Sequence, residues 1–175
     1  MRKHISWFIL FLEIGVSVFI LLETGVAGVK KPLAFSVHPI PLEIQTEQRV
    51  VSYQVEIASS PTQSQAGLMY RTDFPRDRAM LFMNLLSDAA KDKQEILMWM
   101  ANTPLPLDMI FLNAEGIIVS IFENTIPFSR NVISSKVPAT FVIEVNAGEV
   151  VDKQIQRGQR VIHPAICGKC ESDKK

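Results

Sequence analysis

A single carboxylate, Asp108, interrupts the apolar run LDMIFL at positions 107–112, and this is the strongest chemical signal in the chain. Trp99, Asn102 and Thr103 stand shortly before it, followed by two prolines. A carboxylate among apolar neighbours is costly to bury unless it is hydrogen-bonded or paired with a cation. Asp108 is therefore predicted to be either a structural clamp or part of a functional site.

Both interpretations of this segment stay open at the level of sequence. In the first, Asp108, Asn102, Thr103 and Arg71 form a polar binding pocket with Trp99 as its floor, and Arg71 supplies the cation. An enzymatic version of this hypothesis has Asp108 act with Arg71 and Asn102 on a small polar substrate. In the second interpretation, Asp108 clamps the proline-containing loop, since a perturbed carboxylate is only a probabilistic marker of a site.

Sulfur and imidazole groups offer a second kind of chemistry. Met98 and Met100 would share one face of a strand, and thioethers can bind copper(I). The competing interpretation is that these methionines fill a core, which their flexible side chains do well.

His163, Cys167 and Cys170, near the C-terminus, supply three possible metal ligands, one fewer than structural zinc requires. In an oxidising compartment the two cysteines are instead predicted to form a disulfide, with a redox dithiol as the third alternative.

No familiar catalytic motif accompanies these residues. The sequence contains no GxSxG elbow, no P-loop and no HExxH motif. Of its three histidines, only His38 and His163 lie beyond the first 27 residues, and both precede a proline. A Ser–His hydrolase is therefore not expected. The sequence predicts no cofactor, and the balance of signals favours a non-enzymatic protein.

Composition narrows the functional classes further. The chain has 175 residues, a length that suits one domain. Its 18 basic and 18 acidic residues give a formal net charge of zero. A neutral surface argues against nucleic acid as a partner, because binding phosphates requires a basic surface. The hydrophobic fraction of 47% argues against a disordered chain.

The N-terminus has the layout of a secretory signal peptide. Basic residues at positions 2–4 precede an apolar run over 5–22, and small residues follow at 25–28. This order predicts export with cleavage after Ala27. The alternative is an uncleaved membrane anchor, because the apolar run is nearly long enough to span a bilayer, which takes roughly 20 residues. Either alternative places the domain outside the cytoplasm, in the periplasm or secreted.

The mature chain divides into three parts. Residues 28–48 contain Pro32, Pro39 and Pro41 and are predicted to form an extended linker, since proline resists helix and central strand. Residues 49–163 are predicted to form the folded domain. Residues 164–175 are predicted to be a polar tail that carries the two cysteines.

Periodicity within the domain predicts strands with two short helices. Alternation over 51–57 indicates a half-buried strand, and Ser60-Pro61 begins a helix that we expect to end near Tyr70 or Arg71. The strands at 107–112 and 117–122 flank an Asn-Ala-Glu-Gly turn, which is typical of a hairpin. Further predictions are strands at 80–85, 96–100, 140–145 and 160–163, a solvated loop or short helix at 87–95, and a second helix from Asn146 to Gly158. These elements predict an α+β fold class dominated by β-strands. The simplest architecture is a small mixed β-barrel, closed or partly closed, because closure hides the edges of the sheet.

Five ordered sequence blocks resemble a known family. They read GLMYR at 67–71, MLF at 80–82, WMANT at 99–103, PLD at 106–108 and EVNAG at 144–148. This order is similar to the bacterial and archaeal family catalogued as domain of unknown function 192. The chain departs from the family pattern at Ala79, where a glycine is more usual, and at Ala101, where a lysine is more usual. The resemblance implies a small mixed β-barrel domain, often exported, and it implies no reaction.

The sequence therefore predicts an exported, uncharacterised binding module associated with the cell envelope. Its ligand- or partner-contacting surface would be the loop from Asn102 to Asp108. The expected partner is a small molecule or an envelope protein. The alternatives are an enzyme using Asp108 and a periplasmic copper-handling protein.

Overall fold

The computed structural model describes residues 31–86 and 93–168. The predicted signal peptide or anchor, part of the predicted loop at 87–95, and Cys170 fall outside these ranges. Within them lie nine strands and three short helices. The strands are β1 (Leu42–Gln45), β2 (Val50–Ala58), β3 (Arg78–Phe82), β4 (Glu95–Met98), β5 (Leu107–Leu112), β6 (Ile118–Phe122), β7 (Ile133–Pro138), β8 (Phe141–Asn146) and β9 (Arg160–Ile162), and the helices are α1 (Pro61–Ala66), α2 (Glu149–Asp152) and α3 (Pro164–Cys167).

Seven of the strands form one curved sheet that nearly closes into a barrel. The strand order is β6-β5-β8-β3-β2-β1-β9, with β2 and β3 parallel and the other pairs antiparallel. The two ends of the sheet meet where Ile117 pairs with Arg160 and the Val161 amide donates to the Gly116 carbonyl at 2.8 Å. This closure protects both edges. The β-dominated, barrel-like α+β fold is confirmed.

Two hydrophobic cores lie on opposite sides of the sheet. The first fills the barrel with side chains such as Tyr53, Leu81 and Ile143. The second lies outside the barrel, between the sheet and a separate two-stranded sheet of β4 and β7. Strands β5 and β8 serve both cores, so nearly all their residues are buried. A carboxylate on either strand is therefore buried whichever way it points.

Several boundaries differ from those predicted. Strand β1 lies inside the predicted linker over 28–48, and it pairs with β2 and β9, so the barrel begins at Leu42. Helix α1 begins with the predicted Ser60 capping box but ends at Ala66, because Gly67 takes a positive φ of 44°. Helix α2 is similarly short. The sequence patterns missed β7 and α3.

Barrel closure makes Gly116 sensitive to substitution. Its φ is +77°, and a Cβ at this position would lie 2.8 Å from the Val161 carbonyl oxygen, which is too close for two backbone-fixed atoms. Gly158 is a matched control, because its φ is +87° but a Cβ there meets nothing within 4 Å. We expect Gly116→Ala to lower the free energy of unfolding by about 2 kcal/mol more than Gly158→Ala, since only Gly116 adds a clash to the strain of positive φ. Urea unfolding of both variants measures the difference, and equal losses would contradict the closure.

No helix in residues 31–86 and 93–168 combines the length and apolar composition needed to cross a bilayer.

Candidate functional site

Asp108 is fully buried and bonded to backbone groups rather than open to a ligand. It points into the barrel, on the face of β5 that also carries Ile110 and Leu112. Its Oδ1 accepts from the Asn124 amide at 2.8 Å, and its Oδ2 accepts from the Val150 amide at 3.0 Å. Val150 lies in the first turn of α2, whose N-cap, Gly148, has no side chain to cap it. This geometry favours the clamp interpretation.

Arg71 does not pair with Asp108, which corrects the predicted pocket. Its guanidinium makes a two-point ion pair with Glu56, at 2.7 Å and 3.1 Å. Arg78 adds a third bond to the same carboxylate at 3.0 Å. Glu56 is buried, so both cations are needed to compensate its charge. The pairing with Asp108 was wrong because Arg71 lies near the outer face of the sheet and Asp108 points inward.

A cavity of about 240 Å³ opens beside the second core. Its walls come from four places: helix α1 with the turn that follows it, the ends of β3 and β4, the outer face of β8, and Thr103 in the loop before β5. Gly67 allows the wall to close, because its backbone lies so near the Phe82 ring that a Cβ would meet Cζ at 3.0 Å. The lining is mostly apolar and consists of Ser64, Gln65, Ala66, Gly67, Leu68, Met69, Phe82, Leu85, Leu97, Met98, Trp99, Thr103 and Glu144.

Glu144 supplies a carboxyl group to this cavity, and its surroundings are unusual. Its side chain is on the outer face of β8, between Met80 of β3 and Met109 of β5, both fully buried. It is 4% exposed, and its Oε2 has no hydrogen-bond partner among the described residues. Burial raises the pKa of Glu144 to about 8. A buried, unpaired carboxyl group in a cleft is a candidate functional group.

Three of the predicted site residues lie at this cavity, away from Asp108. Trp99 and Thr103 line it; Trp99 is 52% exposed and Thr103 is buried. Asn102 adopts a positive φ of 59°, accepts from the Tyr70 amide at 2.7 Å, and places its Nδ2 3.8 Å from the Met69 sulfur. The loop therefore joins the turn after α1 and shapes one wall of the cavity.

A larger depression elsewhere on the barrel has weaker chemistry. It measures about 760 Å³ and lies beside the hairpin turn and Gly158. Its charged residues, Glu115 and Arg157, are exposed, and none of the buried polar side chains lines it. The smaller cavity is the better candidate because it contains a desolvated ionisable group.

Met98 and Met100, which the sequence offered as weak candidates for copper(I) ligands, both lie in or against the second core. Met100 is fully buried in the second core, and Met98 packs against that core at the cavity wall, which is the core-filling role. Within residues 31–86 and 93–168, no three His, Cys, Asp or Glu side chains converge as metal ligands. The predicted Cys167–Cys170 disulfide includes Cys170, which lies outside the described residues, and it stays a prediction.

His163 has a structural position. It is the N-cap of α3, where its Nδ1 accepts from the Ala165 amide at 3.1 Å. Because Nδ1 accepts, the ring proton is assigned to Nε2, which lies 3.2 Å from both the Ile40 carbonyl oxygen and the His38 Nδ1. His163 thereby ties the segment before β1 to the C-terminal helix. Burial, reinforced by the nearby His38 ring, lowers the pKa of His163 below its usual 6.5.

Neutral His163 is expected to stabilise the fold down to mildly acidic pH. As the pH falls below about 6.5, the unfolded state takes up a proton that folded His163 resists, so this contribution is lost progressively. His163→Asn keeps a capping side chain but removes the titration. We expect the stability advantage of the wild type over this variant to shrink between pH 7.5 and pH 5.5, a range centred on that usual His pKa. Urea unfolding of both proteins measures the difference, and a constant advantage would contradict the assignment.

The signal that would have found Glu144 was present in the sequence. Thr140 to Val145 is an apolar strand interrupted by one carboxylate, as 107–112 is by Asp108. The two residues have the same local context and lie on neighbouring strands, where Asp108 is opposite Val145. They point to opposite faces of the sheet, and only the fold shows which face has a cavity.

Two solved structures with a similar fold come from Sinorhizobium meliloti and Novosphingobium aromaticivorans. A protein from Sinorhizobium meliloti 1021, described as a "putative transcription regulator", is 34% identical with a TM-score of 0.66, over 74% of this chain and 95% of that one. A protein of unknown function from Novosphingobium aromaticivorans DSM 12444 is 24% identical with a TM-score of 0.65, over 76% of this chain and 95% of its own. The second likeness shows the fold alone. No curated protein matches the chain.

The family resemblance rests on more than the five sequence blocks. A family profile described as "Uncharacterized ACR, COG1430" matches residues 42–163, which span β1 to the His163 cap and include Asp108 and Glu144. The match begins at the first strand of the barrel and so agrees with the domain start seen in the fold. The chain therefore belongs to the family known as domain of unknown function 192.

Proposed function

We propose that this domain is a binding module for a small, largely apolar molecule, which it takes into the cavity beside Trp99. The observation that carries the proposal is Glu144, a buried carboxyl group without a partner among the described residues, in a mostly apolar cavity. Ligand sites typically combine apolar walls with a few placed polar groups. At about 240 Å³ the cavity suits a ligand smaller than most drugs.

The surroundings of the cavity support a small molecule more than a nucleic acid. The chain has no net charge, whereas nucleic-acid binding needs a basic surface. The transcription-regulator description belongs to the Sinorhizobium protein, and nothing at this cavity supports transferring it. The loop from Asn102 to Asp108 keeps a role in the proposal, since Thr103 lines the cavity and Asn102 contacts the lining residue Met69.

The N-terminal layout supports action outside the cytoplasm, as a second part of the proposal. Cleavage after Ala27 would leave a soluble binding domain, and retention of the run at 5–22 would tether the same domain to the membrane. Mass spectrometry of the chain recovered from the cell envelope tests this. A mass starting at Gly28 supports cleavage and export, an intact N-terminus supports the anchor, and recovery of all the protein from the cytoplasm would overturn the localisation.

Calorimetric titration with 1-hexanol tests the binding function directly. We expect wild-type chain to bind hexanol with a dissociation constant of roughly 1 mM or tighter, because well-buried small ligands gain a substantial free energy per atom. Ala66→Phe fills the cavity from α1 and should abolish binding. Thr62→Phe adds the same ring at an exposed position of the same helix and should leave binding unchanged. Absence of binding by hexanol, hexylamine and hexanoate alike would overturn the proposed function.

A further inference from the structure

We infer that the natural ligand is an organic cation, an ammonium group attached to an apolar body, with the Glu144 carboxylate as its counter-ion. This inference rests on the proposed function and names the ligand class for the same cavity. It is carried by three features of the cavity: the absence of basic residues among its described lining residues, the kind of side chains in its walls, and the desolvation of the Glu144 carboxyl group between Met80 and Met109.

The first feature is the absence of positive charge. The described residues that line the cavity include no Lys, Arg or His. Arg71 and Arg78 lie near the same face of the sheet, and Glu56 binds both, at 2.7 Å and 3.0 Å. A carboxylate or phosphate ligand would therefore bring its negative charge into a desolvated cavity where no cation among the described lining residues compensates it, which low dielectric makes costly.

The second feature is the wall around the carboxyl group. Two aromatic residues, Phe82 and Trp99, and two methionines, Met69 and Met98, line the cavity. Aromatic faces attract ammonium groups, most strongly where water is excluded. Thioether sulfur is polarisable and packs well against the apolar part of such a ligand. A cation with a short apolar body meets favourable partners on every side of this cavity.

The third feature is the state of Glu144 before binding. Held by Met80 and Met109 in a desolvated position, its carboxyl group is protonated at neutral pH. An arriving ammonium ion supplies the missing charge, and the carboxyl proton leaves to solvent. In this exchange the carboxylic acid of the protein and the ammonium ion form a carboxylate–ammonium pair and release one proton. Below pH 8, affinity for the cation should rise about tenfold per pH unit, because one proton is released for each ligand bound.

Three probes of equal length separate the ligand classes: hexylamine, 1-hexanol and hexanoate, each titrated into the full chain by calorimetry at pH 7. We expect hexylammonium to bind at least about tenfold tighter than hexanol, a difference of roughly 1.4 kcal/mol. Glu144→Gln should remove that preference for hexylammonium over hexanol, since Gln keeps the volume of the side chain and removes its charge. Titration in two buffers of different ionisation enthalpy should show close to one proton released per hexylammonium bound.

The possible outcomes test the cation inference separately from the proposed binding function on which it rests. Hexanol binding as tightly as hexylammonium, or hexylammonium binding without proton release, would overturn the cation inference and leave the apolar binding site standing. Tightest binding by hexanoate would also overturn it. Failure of all three probes would overturn the proposed function itself. Hexylammonium binding that survives Glu144→Gln would place the cation elsewhere on the chain and likewise contradict the assignment.

Discussion

Glu144→Gln is expected to stabilise the ligand-free domain at neutral and alkaline pH, although it removes a buried carboxyl group of the native chain. The wild type and the variant should be nearly equal at pH 5. The advantage of the variant should then grow to about 3–5 kcal/mol at pH 8, at 1.36 kcal/mol per pH unit over the window between the usual and raised pKa values of the carboxyl group. A gain on removing a native group would mark a position maintained for something other than stability.

The sign of this stability difference follows from which state of the wild type, folded or unfolded, holds the Glu144 proton. The pKa of Glu144 is raised from 4.5 to about 8 in the fold because burial disfavours the carboxylate. Above pH 4.5 the unfolded chain releases its proton while the native chain keeps it, so the stability of the wild type falls as the pH rises. Above pH 8 both states are ionised and the difference becomes constant. The glutamine side chain of the variant does not titrate, so the difference between the proteins isolates this one group.

Urea unfolding at pH 5, 6, 7 and 8 measures the effect. Glu56→Gln is the matched control, because Glu56 lies on the same face of the sheet but is paired with Arg71 and Arg78. That variant should lose stability, since it leaves two partly buried guanidinium groups without their carboxylate. A difference between wild type and Glu144→Gln that stays constant from pH 5 to pH 8 would contradict the buried acid.

Asp108→Asn is expected to have the opposite effect and to lower the free energy of unfolding by about 2–4 kcal/mol. Both carboxylate oxygens accept from backbone amides, Asn124 at 2.8 Å and Val150 at 3.0 Å. An asparagine can satisfy one of these donors, but its own NH2 group then faces the other. The variant leaves a buried N–H unpaired inside the barrel and removes the tertiary cap from the first turn of α2.

Urea unfolding at pH 7 measures the loss, and hexanol titration of the same variant separates the two roles considered for Asp108. Hexanol affinity should be unchanged in the folded variant, because Asp108 points into the barrel and the cavity lies outside it. Asp152→Asn is the control: its ion pair with Arg76 is solvent-exposed and worth less than about 1 kcal/mol. A stable Asp108→Asn domain that loses hexanol binding would overturn the clamp.

These two carboxylates show how far sequence reasoning could go. Local pattern was enough to place Asp108 in an apolar strand and Glu144 in a β-rich one, because apolar runs and the Asn113–Gly116 turn follow backbone preferences that short segments set alone. It also predicted the β-dominated class and, with five ordered blocks, the family. It did not predict β1, whose proline-rich flank resembles a linker, and it missed β7 and α3, which contain or begin with prolines.

The sequence by itself determined that this chain forms a β-dominated domain of the 192 family with lone carboxylates in buried strands. The tertiary structure decided what each carboxylate does. The alternation of side chains along a strand defines two faces, but it does not show which face lies against backbone amides and which face lines a cavity. That choice depends on strand order and on distant segments: α2 brings the Val150 amide to Asp108, and α1 with β4 encloses Glu144. Arg71 was assigned to the wrong carboxylate for the same reason, because electrostatic partners are chosen by contacts between segments far apart in the chain.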